Sequence, residues 1–438
     1  MELKKVIILS YWFPPCELTA SQRPYSWALN FKKFGYHPII FTRHWTRKIE
    51  SPKDLHYNAG KEVEKIEFDG YTVIKIPYKQ NLRDKIFTSD KKFPGKSLIQ
   101  KSLTIIELIL QNFSIAFIPH GNQYKILKDY IIKNQNQISG LLVTANPFIN
   151  FKLAYHLNKE TGIKWIADYR DDWTTRDYGQ WYINIPIVKY LAKRLETFFE
   201  KKWVRSAEMF VSVSPHYVSK IKSVVNIKGE VIYNGFIQSD FDKYEKEDLF
   251  EDFTICYNGT LFEIQDLTIL KEGLKLLNEK FKSKIKIKIF FAGTGFDKIQ
   301  RKRLEKVFKN QENNIDITNR LPRDEVIRIQ QKCHLLLIVA YGDIKSALPT
   351  KLFDYMALKK PVLLCPSDND IMEEMLLKTG QMILISKTEE FVNKLSSIID
   401  AYIVTQKVDF QFNQDEANVY TRENQAKKLT QFMDEYFK

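Results

Sequence analysis

Ser346-Ala-Leu-Pro-Thr-Lys-Leu-Phe-Asp-Tyr-Met-Ala-Leu-Lys-Lys-Pro-Val362, running into Leu363-Leu-Cys365, decides the fold. It reads as a loop, a helix beginning near Pro349 and a short apolar strand. Backbone N–H donors of the helix start, with Thr350 and Lys351 beside them, are thereby presented at the edge of a sheet, a place suited to holding phosphate.

Outward from this stretch, apolar strand-like runs alternate with helical periodicity, the pattern of parallel α/β folds. Val6–Ser10, Pro38–Thr42, Tyr71–Ile76, Gly140–Thr144, Lys164–Asp168, Met209–Val213 and Gly229–Tyr233 form a first set. Phe253–Tyr257, Ile285–Phe291, Ile315–Ile317, His334–Val339, Pro361–Leu364 and Met382–Ile385 form a second. The helix spanning Ser21–Phe34 is closed by Gly35. Two doubly wound sheets follow, with a turn at Asn234–Asp240 between them. The expected domains are 1–236, 237–420 and a final helix over 421–438 that packs back on the first.

Composition bounds the chemistry. A chain of 438 residues with 44% hydrophobic content is too long for one ordinary core and fits two domains. No run is apolar enough to span a bilayer, and Met1-Glu-Leu-Lys-Lys leads directly into a strand, so a cytoplasmic protein is expected. Cys16, Cys256, Cys333 and Cys365 lack metal-ligand spacing and read as buried thiols. The excess of positive charge belongs to the first half, +12 over residues 1–250 against +2 over the remainder. In Lys75–Lys101, the cations Lys79, Arg83, Lys85, Lys91, Lys92, Lys96 and Lys101 alternate with Phe87, Phe93 and Leu98. This stretch fits either adsorption to anionic lipid or a solvated loop. The apolar run Leu103–Ile118 is expected to be a packed helix rather than a membrane-facing one.

Ligands of open α/β sheets bind beyond the carboxyl ends of strands, so the loops there carry the functional signal. Strand one is followed by Tyr11-Trp-Phe-Pro-Pro-Cys-Glu-Leu-Thr-Ala-Ser-Gln-Arg23, ending in Ser21 and Arg23, with a rigid Pro-Pro turn and a helix-start salt bridge of Arg23 as the structural alternative. Asn146 follows the strand ending at Thr144 and either offers an amide to a ligand or, standing before Pro147, forms a turn. Asp168-Tyr-Arg-Asp-Asp-Trp173 gathers three carboxylates and a guanidinium at a strand end, which is costly unless they bind a ligand or pair with one another. An Arg170–Asp171 pair locking the loop is the structural alternative. In the second set, Tyr257-Asn-Gly-Thr-Leu261 and Phe291-Ala-Gly-Thr-Gly295 place Gly259 and Gly293 where a backbone must approach a ligand closely. His37 and His156 read as packed or surface residues. Asp368-Asn-Asp370 reads as a helix cap rather than a metal site. Asn112-Phe-Ser114 and Asn258-Gly-Thr260 have the form of glycosylation sequons without a role in a cytoplasmic chain.

The Pro349–Val362 segment resembles the donor-binding segment of the GT-B glycosyltransferases of family 4. Tyr11-Trp-Phe-Pro-Pro15 with Ser21 and Arg23 is similar to that family's first loop, without its glycines. Asp168–Trp173 looks like the Asp-Phe-Arg-Asp-Pro-Trp signature of its bacterial polysaccharide members, with Tyr169 and Asp172 as departures. Ser212-Val-Ser214, Tyr233-Asn-Gly-Phe236 and Tyr257-Asn-Gly-Thr-Leu261 extend the resemblance over nearly the whole chain. It implies a GT-B fold, two Rossmann-like domains facing a central cleft, and a retaining, metal-independent hexosyltransferase without cofactor. The implied donor is a UDP- or GDP-linked sugar, held by Gly259, Thr260, Gly293, Arg320, Pro349, Thr350, Lys351 and Asp354. Ser21, Arg23 and Asn146 are the implied acceptor contacts, and Asp168, Arg170 and Asp171 the implied catalytic groups. The implied acceptor is a growing bacterial glycan on a lipid carrier at the inner membrane face, in surface-polysaccharide or glycoconjugate synthesis. Ser346 and Asp354 stand where the family carries paired glutamates. Glu263, Gln265 and Asp266 replace its usual Arg and Lys. A catalytically inactive scaffold that keeps the GT-B shell in a glycan assembly complex is the alternative these departures leave open.

Other classes fit poorly. A dinucleotide-binding oxidoreductase needs Gly-x-Gly-x-x-Gly after a strand and an acid about 20 residues on, a pairing the sequence lacks. The net charge of +14 would suit nucleic acid, but no helix-turn-helix, RNP or zinc pattern accompanies it.

Overall fold

A computed structural model describes residues 3–45, 49, 52–91, 93–176, 186–245 and 247–438. Lys92 of the basic stretch lies outside them. The chain forms two units, one of Met1–Tyr233 with Arg422–Lys438, the other of Asn234–Thr421.

The first unit is built on eight strands: β1 (Lys4–Ser10), β2 (Tyr36–Arg43), β3 (Glu64–Phe68), β4 (Tyr71–Ile76), β5 (Ile138–Ala145), β6 (Trp165–Tyr169), β7 (Met209–Ser212) and β8 (Gly229–Val231). Their order is β3-β4-β2-β1-β5-β6-β7-β8. All neighbours pair in parallel except β3 with β4. β1 is apolar without alternation because helices cover both faces of the sheet. Ile7 and Leu9 enter one core with Phe41, Leu141 and Val143. Val6 and Ile8 enter the other with Trp27, Phe31 and three residues of the last helix, Ala426, Leu429 and Met433. That helix, Arg422–Tyr436, belongs to the first unit. Gly140 on β5 is the price of its approach: a Cβ there would meet the Phe437 ring at 2.6 Å.

The second unit carries β9 (Phe253–Asn258), β10 (Ile287–Ala292), β11 (Ile315–Ile317), β12 (Leu335–Ile338), β13 (Val362–Leu364) and β14 (Met382–Leu384). They form an all-parallel sheet in the order β11-β10-β9-β12-β13-β14. In each unit the strand order reverses at one place, between β1 and β5 in the first and between β9 and β12 in the second, the place where open α/β sheets bind ligands.

Two elements differ from expectation. β3 is an antiparallel edge strand that periodicity does not reveal. Its sequence Glu-Lys-Ile-Glu-Phe buries none of its residues, so charge rather than apolar alternation marks it, as suits an edge. The apolar run Leu103–Ile118 is packed only at its end, where Ile115 and Ile118 join the core. Up to Phe113 it lies in an 18-residue helix, Lys96–Phe113, none of whose residues is buried.

Candidate functional site

In the first unit the loop after β1 leads into the helix Thr19–Asn30. Ser21 turns inward, its Oγ donating to Cys16 O at 2.6 Å and Leu18 O at 2.8 Å. Arg23 is 3% exposed. Its Nη2 and Nε donate to Asp168 Oδ1 at 2.8 and 3.1 Å, and its Nη1 donates to the carbonyls of Ile232 and Tyr233 at 2.8 and 3.0 Å. Both side chains therefore spend their polar groups within the unit rather than presenting them to an acceptor. Asp168, at the end of β6, is fully buried, and burial pushes its carboxyl up against the pull of the Arg23 guanidinium. Arg170 and Asp171 make the local pair foreseen as the structural alternative, Nη2 to Oδ2 at 3.0 Å, with the Asp171 side chain half-exposed. Of the three carboxylates in this loop, Asp171 is the one open to solvent.

The loop is clamped from beneath. Glu200, fully buried on the helix Pro186–Val204, accepts from Tyr169 Oη at 3.0 Å and from the Thr174 hydroxyl, so one carboxyl ties both flanks of Arg170–Trp173. Burial raises its pKa to about 7.

A cavity of about 400 Å³ opens at the carboxyl end of this sheet. The loops after β1, β5 and β6 contribute Trp12, Asn146, Phe148 and Trp173. Phe148 stacks on Trp173 with centroids 5.1 Å apart, and Trp12 stacks on Trp45 at the same separation. Flat aromatic faces of this kind suit the apolar side of a pyranose, and polar groups between them suit its hydroxyls. Those groups are supplied in pairs: Arg83 with Glu107 at 2.8 Å and Arg176 with Glu196 at 3.5 Å. Beneath Arg83, burial pushes the Asp84 carboxyl up, but hydrogen bonds from His56, Tyr78 and Arg83 together hold it at about 2. His120 is buried beside Tyr11, and burial lowers it to about 4, which keeps it neutral against Asn150.

In the second unit the Gly259 and Gly293 loops lie side by side. Gly259 N donates to Ala292 O at 3.0 Å, Thr294 Oγ1 donates to Gly259 O at 3.1 Å, and Gly293 N donates to Thr318 Oγ1 at 3.0 Å. Both glycines have positive φ, +90° and +75°. Across the strand reversal, Pro349 caps the helix Thr350–Leu358 without a side-chain hydrogen bond to its first N–H groups among the described residues. Lys351 reaches back from its first turn. The residue is largely buried, and its Nζ is shut off from solvent without a hydrogen-bond partner, 3.6 Å from the Tyr257 ring centroid. A Cβ on Gly259 would lie 3.9 Å from that Nζ. Burial lowers the amine to about 7. An unpaired ammonium, open backbone donors and a glycine that yields space form a receptor for an oxyanion.

The remaining residues fall into place around this centre. Thr260 lends its carbonyl to Tyr257 Oη at 2.7 Å, and Tyr355 Oη donates to Asn258 Oδ1 at 2.7 Å, so the loop is pinned at both ends. Arg320 is exposed beside Gly293. Asp354 is engaged by Arg323 at 3.3 Å, and the Ser346 N–H donates to Asp370 Oδ2 at 2.5 Å. Asp368 accepts from the N–H groups of Met372 and Glu373 at 3.0 and 3.1 Å, a helix-capping role. Gln265 and Asp266 likewise serve the fold. Gln265 Oε1 accepts from Phe262 N at 2.8 Å, and Asp266 holds Thr268 N at 2.9 Å. All four cysteines are buried and free.

Sequence reasoning passed over Trp12, Arg83, Glu107, Arg176 and Glu196 of the cavity, Glu200 of the clamp, and Arg303, which donates to Phe262 O at 2.6 Å and steadies the Gly259 loop. Trp12 lies inside the first loop and Arg176 three residues past Trp173, whereas Arg83, Glu107, Glu196, Glu200 and Arg303 lie far along the chain from the motifs they serve and carry no local signal.

Residues 252–401, about a third of the chain, match the family model described as Glycosyl transferases group 1. No curated protein matches the sequence at a significant level. Among solved structures, a glycosyltransferase from Rickettsia africae ESF-5 aligns over 100% of both chains with a TM-score of 0.60 and 15% identity. Sucrose-phosphate synthase from Thermosynechococcus elongatus covers 99% of this chain and of its own at a TM-score of 0.57 and 11% identity. HepE of Anabaena, solved in complex with UDP, covers 99% of this chain and 100% of its own at 0.56 and 10%. At such identities the likeness is one of fold. With two parallel-sheet α/β units that match these structures over their whole length, the chain has the GT-B glycosyltransferase fold.

Proposed function

We propose that the chain is a retaining glycosyltransferase. It moves a hexosyl group from a UDP- or GDP-linked donor to a glycan on a lipid carrier, in bacterial surface-polysaccharide or glycoconjugate synthesis. It works without a metal ion or cofactor, peripherally at the inner membrane face. The observation that carries the reading is the buried, unpartnered Nζ of Lys351 beside Gly259. Departure of a nucleoside diphosphate leaves charge on the β-phosphate, and preorganised donors in a dry site stabilise that charge far more than water does. Lys351, the N–H groups after Pro349 and the Thr350 hydroxyl supply them. Gly259 and Gly293 let the diphosphate and sugar approach the backbone, and Arg320 adds a cation at the rim. Binding of UDP by HepE, a protein of the same fold, supports the donor class.

The acceptor sugar occupies the aromatic cavity of the first unit, with Asn146 on its hydroxyls. Asp171, the exposed carboxylate of its loop, orients the attacking hydroxyl. Asp168, Arg23 and Arg170 hold that loop in position. Ser346 and Asp354, tied to Asp370 and Arg323, favour a second reading, a scaffold that has lost turnover. A thermal-shift panel of UDP, GDP, ADP and nucleotide-sugars decides between them, followed by diphosphate release with membrane lipid extract. Stabilisation by one nucleotide with acceptor-dependent release supports transfer. A folded protein silent to the whole panel sinks it.

A further inference from the structure

The helix Lys96–Phe113 is mounted inside out. At about 100° per residue, Lys96, Gln100, Thr104, Glu107 and Gln111 fall on one stripe, and Leu98, Ile99, Ile106, Ile109 and Phe113 on the opposite one. The polar stripe faces the protein: Gln100 donates to Ile86 O, Glu107 pairs with Arg83 and accepts from Asn81, and Gln111 lines the cavity. The apolar stripe faces solvent, with Leu98 70% and Phe113 66% exposed. A helix folded only for its own unit would turn the other way. The helix Pro186–Val204 continues the surface. Phe113 meets Phe199 at 5.6 Å, and Ile187, Tyr190, Leu191 and Phe198 are exposed along it.

We propose that these two helices form a docking face for an anionic lipid surface. Charge selects this occupant. Lys91, Lys101, Lys189, Lys193 and Arg194 stand exposed around the apolar residues. Among the described residues, the neighbouring carboxylates Asp90, Glu107 and Glu196 are matched by Lys53, Arg83 and Arg176 respectively. A second copy of the same face would set cation against cation, whereas anionic headgroups neutralise them. Eighteen residues make a rod of about 27 Å, and no helix among the described residues is long and apolar enough to cross a membrane. Such a helix lies in the interface plane, its apolar stripe among the acyl chains. Its inner side reaches the cavity through Glu107, Leu108, Gln111 and Asn112, so a lipid held outside presents its headgroup inside. That delivery role rests on the proposed transfer to a lipid-linked glycan, and the docking itself rests on the surface alone.

Co-sedimentation of the full chain with phosphatidylcholine vesicles, with and without phosphatidylglycerol, tests it. Binding is expected only with the anionic lipid, weakening with salt. Lys101→Ala and Lys193→Ala should each lower partitioning about fivefold, and Leu98→Gln with Phe113→Gln roughly tenfold or more. Stabilisation by the nucleotide should be unchanged in every variant. Absence of sedimentation, or equal sedimentation of variant and wild type, overturns the docking face and leaves the transfer reading standing. A dimer in solution that Leu98→Gln with Phe113→Gln dissolves overturns it in favour of a second copy. Vesicle binding by a chain silent to all nucleotides supports the face and removes the transfer reading instead.

Discussion

Arg23 and Asp168, 145 positions apart, form a buried ion pair that fastens the helix after β1 to the end of β6. Because the same guanidinium also holds the carbonyls of Ile232 and Tyr233, one side chain joins three segments of the first unit. Asp168→Asn leaves a buried cation without its counter-charge, at a cost of about 3–5 kcal/mol. All seven tryptophans lie within the first unit, so their fluorescence in urea follows that unit alone. The expected outcome is an earlier transition for Asp168→Asn, partly restored when Arg23→Met is added.

Lys351→Met should exchange function for stability. The variant keeps the apolar stem against Tyr257 and removes a buried amine that has no hydrogen-bond partner, a group costing about 1–3 kcal/mol. Calorimetry should show the second unit melting several degrees higher, at about 2–4 °C per kcal/mol, while nucleotides no longer shift the transition. A variant that still binds nucleotide would remove Lys351 from the donor site.

The pH profile follows from the same amine. Burial lowers its pKa from 10.5 to about 7, so between those values the unfolded chain holds a proton that the folded chain lacks. Stability should therefore be lowest at and below pH 7 and rise towards pH 10.5, a slope absent in Lys351→Met. Nucleotide affinity runs the other way. A diphosphate requires the charged amine, so above pH 7 binding takes up a proton, and affinity should fall by up to about tenfold per pH unit. Calorimetric titration in buffers of different ionisation enthalpy would register that proton.

Two glycines of similar backbone separate strain from function. Gly35 and Gly259 have φ of +83° and +90°, so alanine at either costs about 1 kcal/mol or more. A Cβ at Gly35 has nothing within 4 Å, whereas one at Gly259 points at Lys351 Nζ. Gly35→Ala is expected to lose stability and keep nucleotide affinity. Gly259→Ala should lose affinity by more than about tenfold, measured by the nucleotide-induced shift in melting.

Glu200→Gln tests the clamp under the Asp171 loop. With its pKa raised to about 7 from 4.5, Glu200 stabilises the fold fully below pH 4.5 and progressively less up to pH 7. The glutamine variant should lack this dependence. Tryptophan fluorescence melts at pH 5 and 8 would compare the two.

Much of this was legible in the sequence because apolar runs such as Val6–Leu9 and Leu335–Ile338 leave little choice but strands buried on both faces. β3 was not, since its charges give an exposed edge no apolar signature. The loops carrying Gly259 and Lys351 were legible because each follows a strand. Their convergence depends on β9 and β12 being neighbours, which topology alone supplies. Asp168 reads as a catalytic candidate from sequence because nothing local identifies Arg23 as its partner. The Lys96–Phe113 helix read as packed because an apolar stripe has the same periodicity whichever way it faces.

The last helix gives the architecture a genealogical sense. Since Arg422–Tyr436 completes the core around Val6 and Ile8, the second unit is an insertion within the first rather than an appendage to it. The ends of the insert are already joined, Phe236 bridging to Thr421 and its N–H donating to Tyr420 O at 3.2 Å. Replacing segment 234–421 with a short linker is therefore expected to leave the core around Val6 and Ile8 intact. Truncation before Arg422 would instead strip the first unit of its own interior.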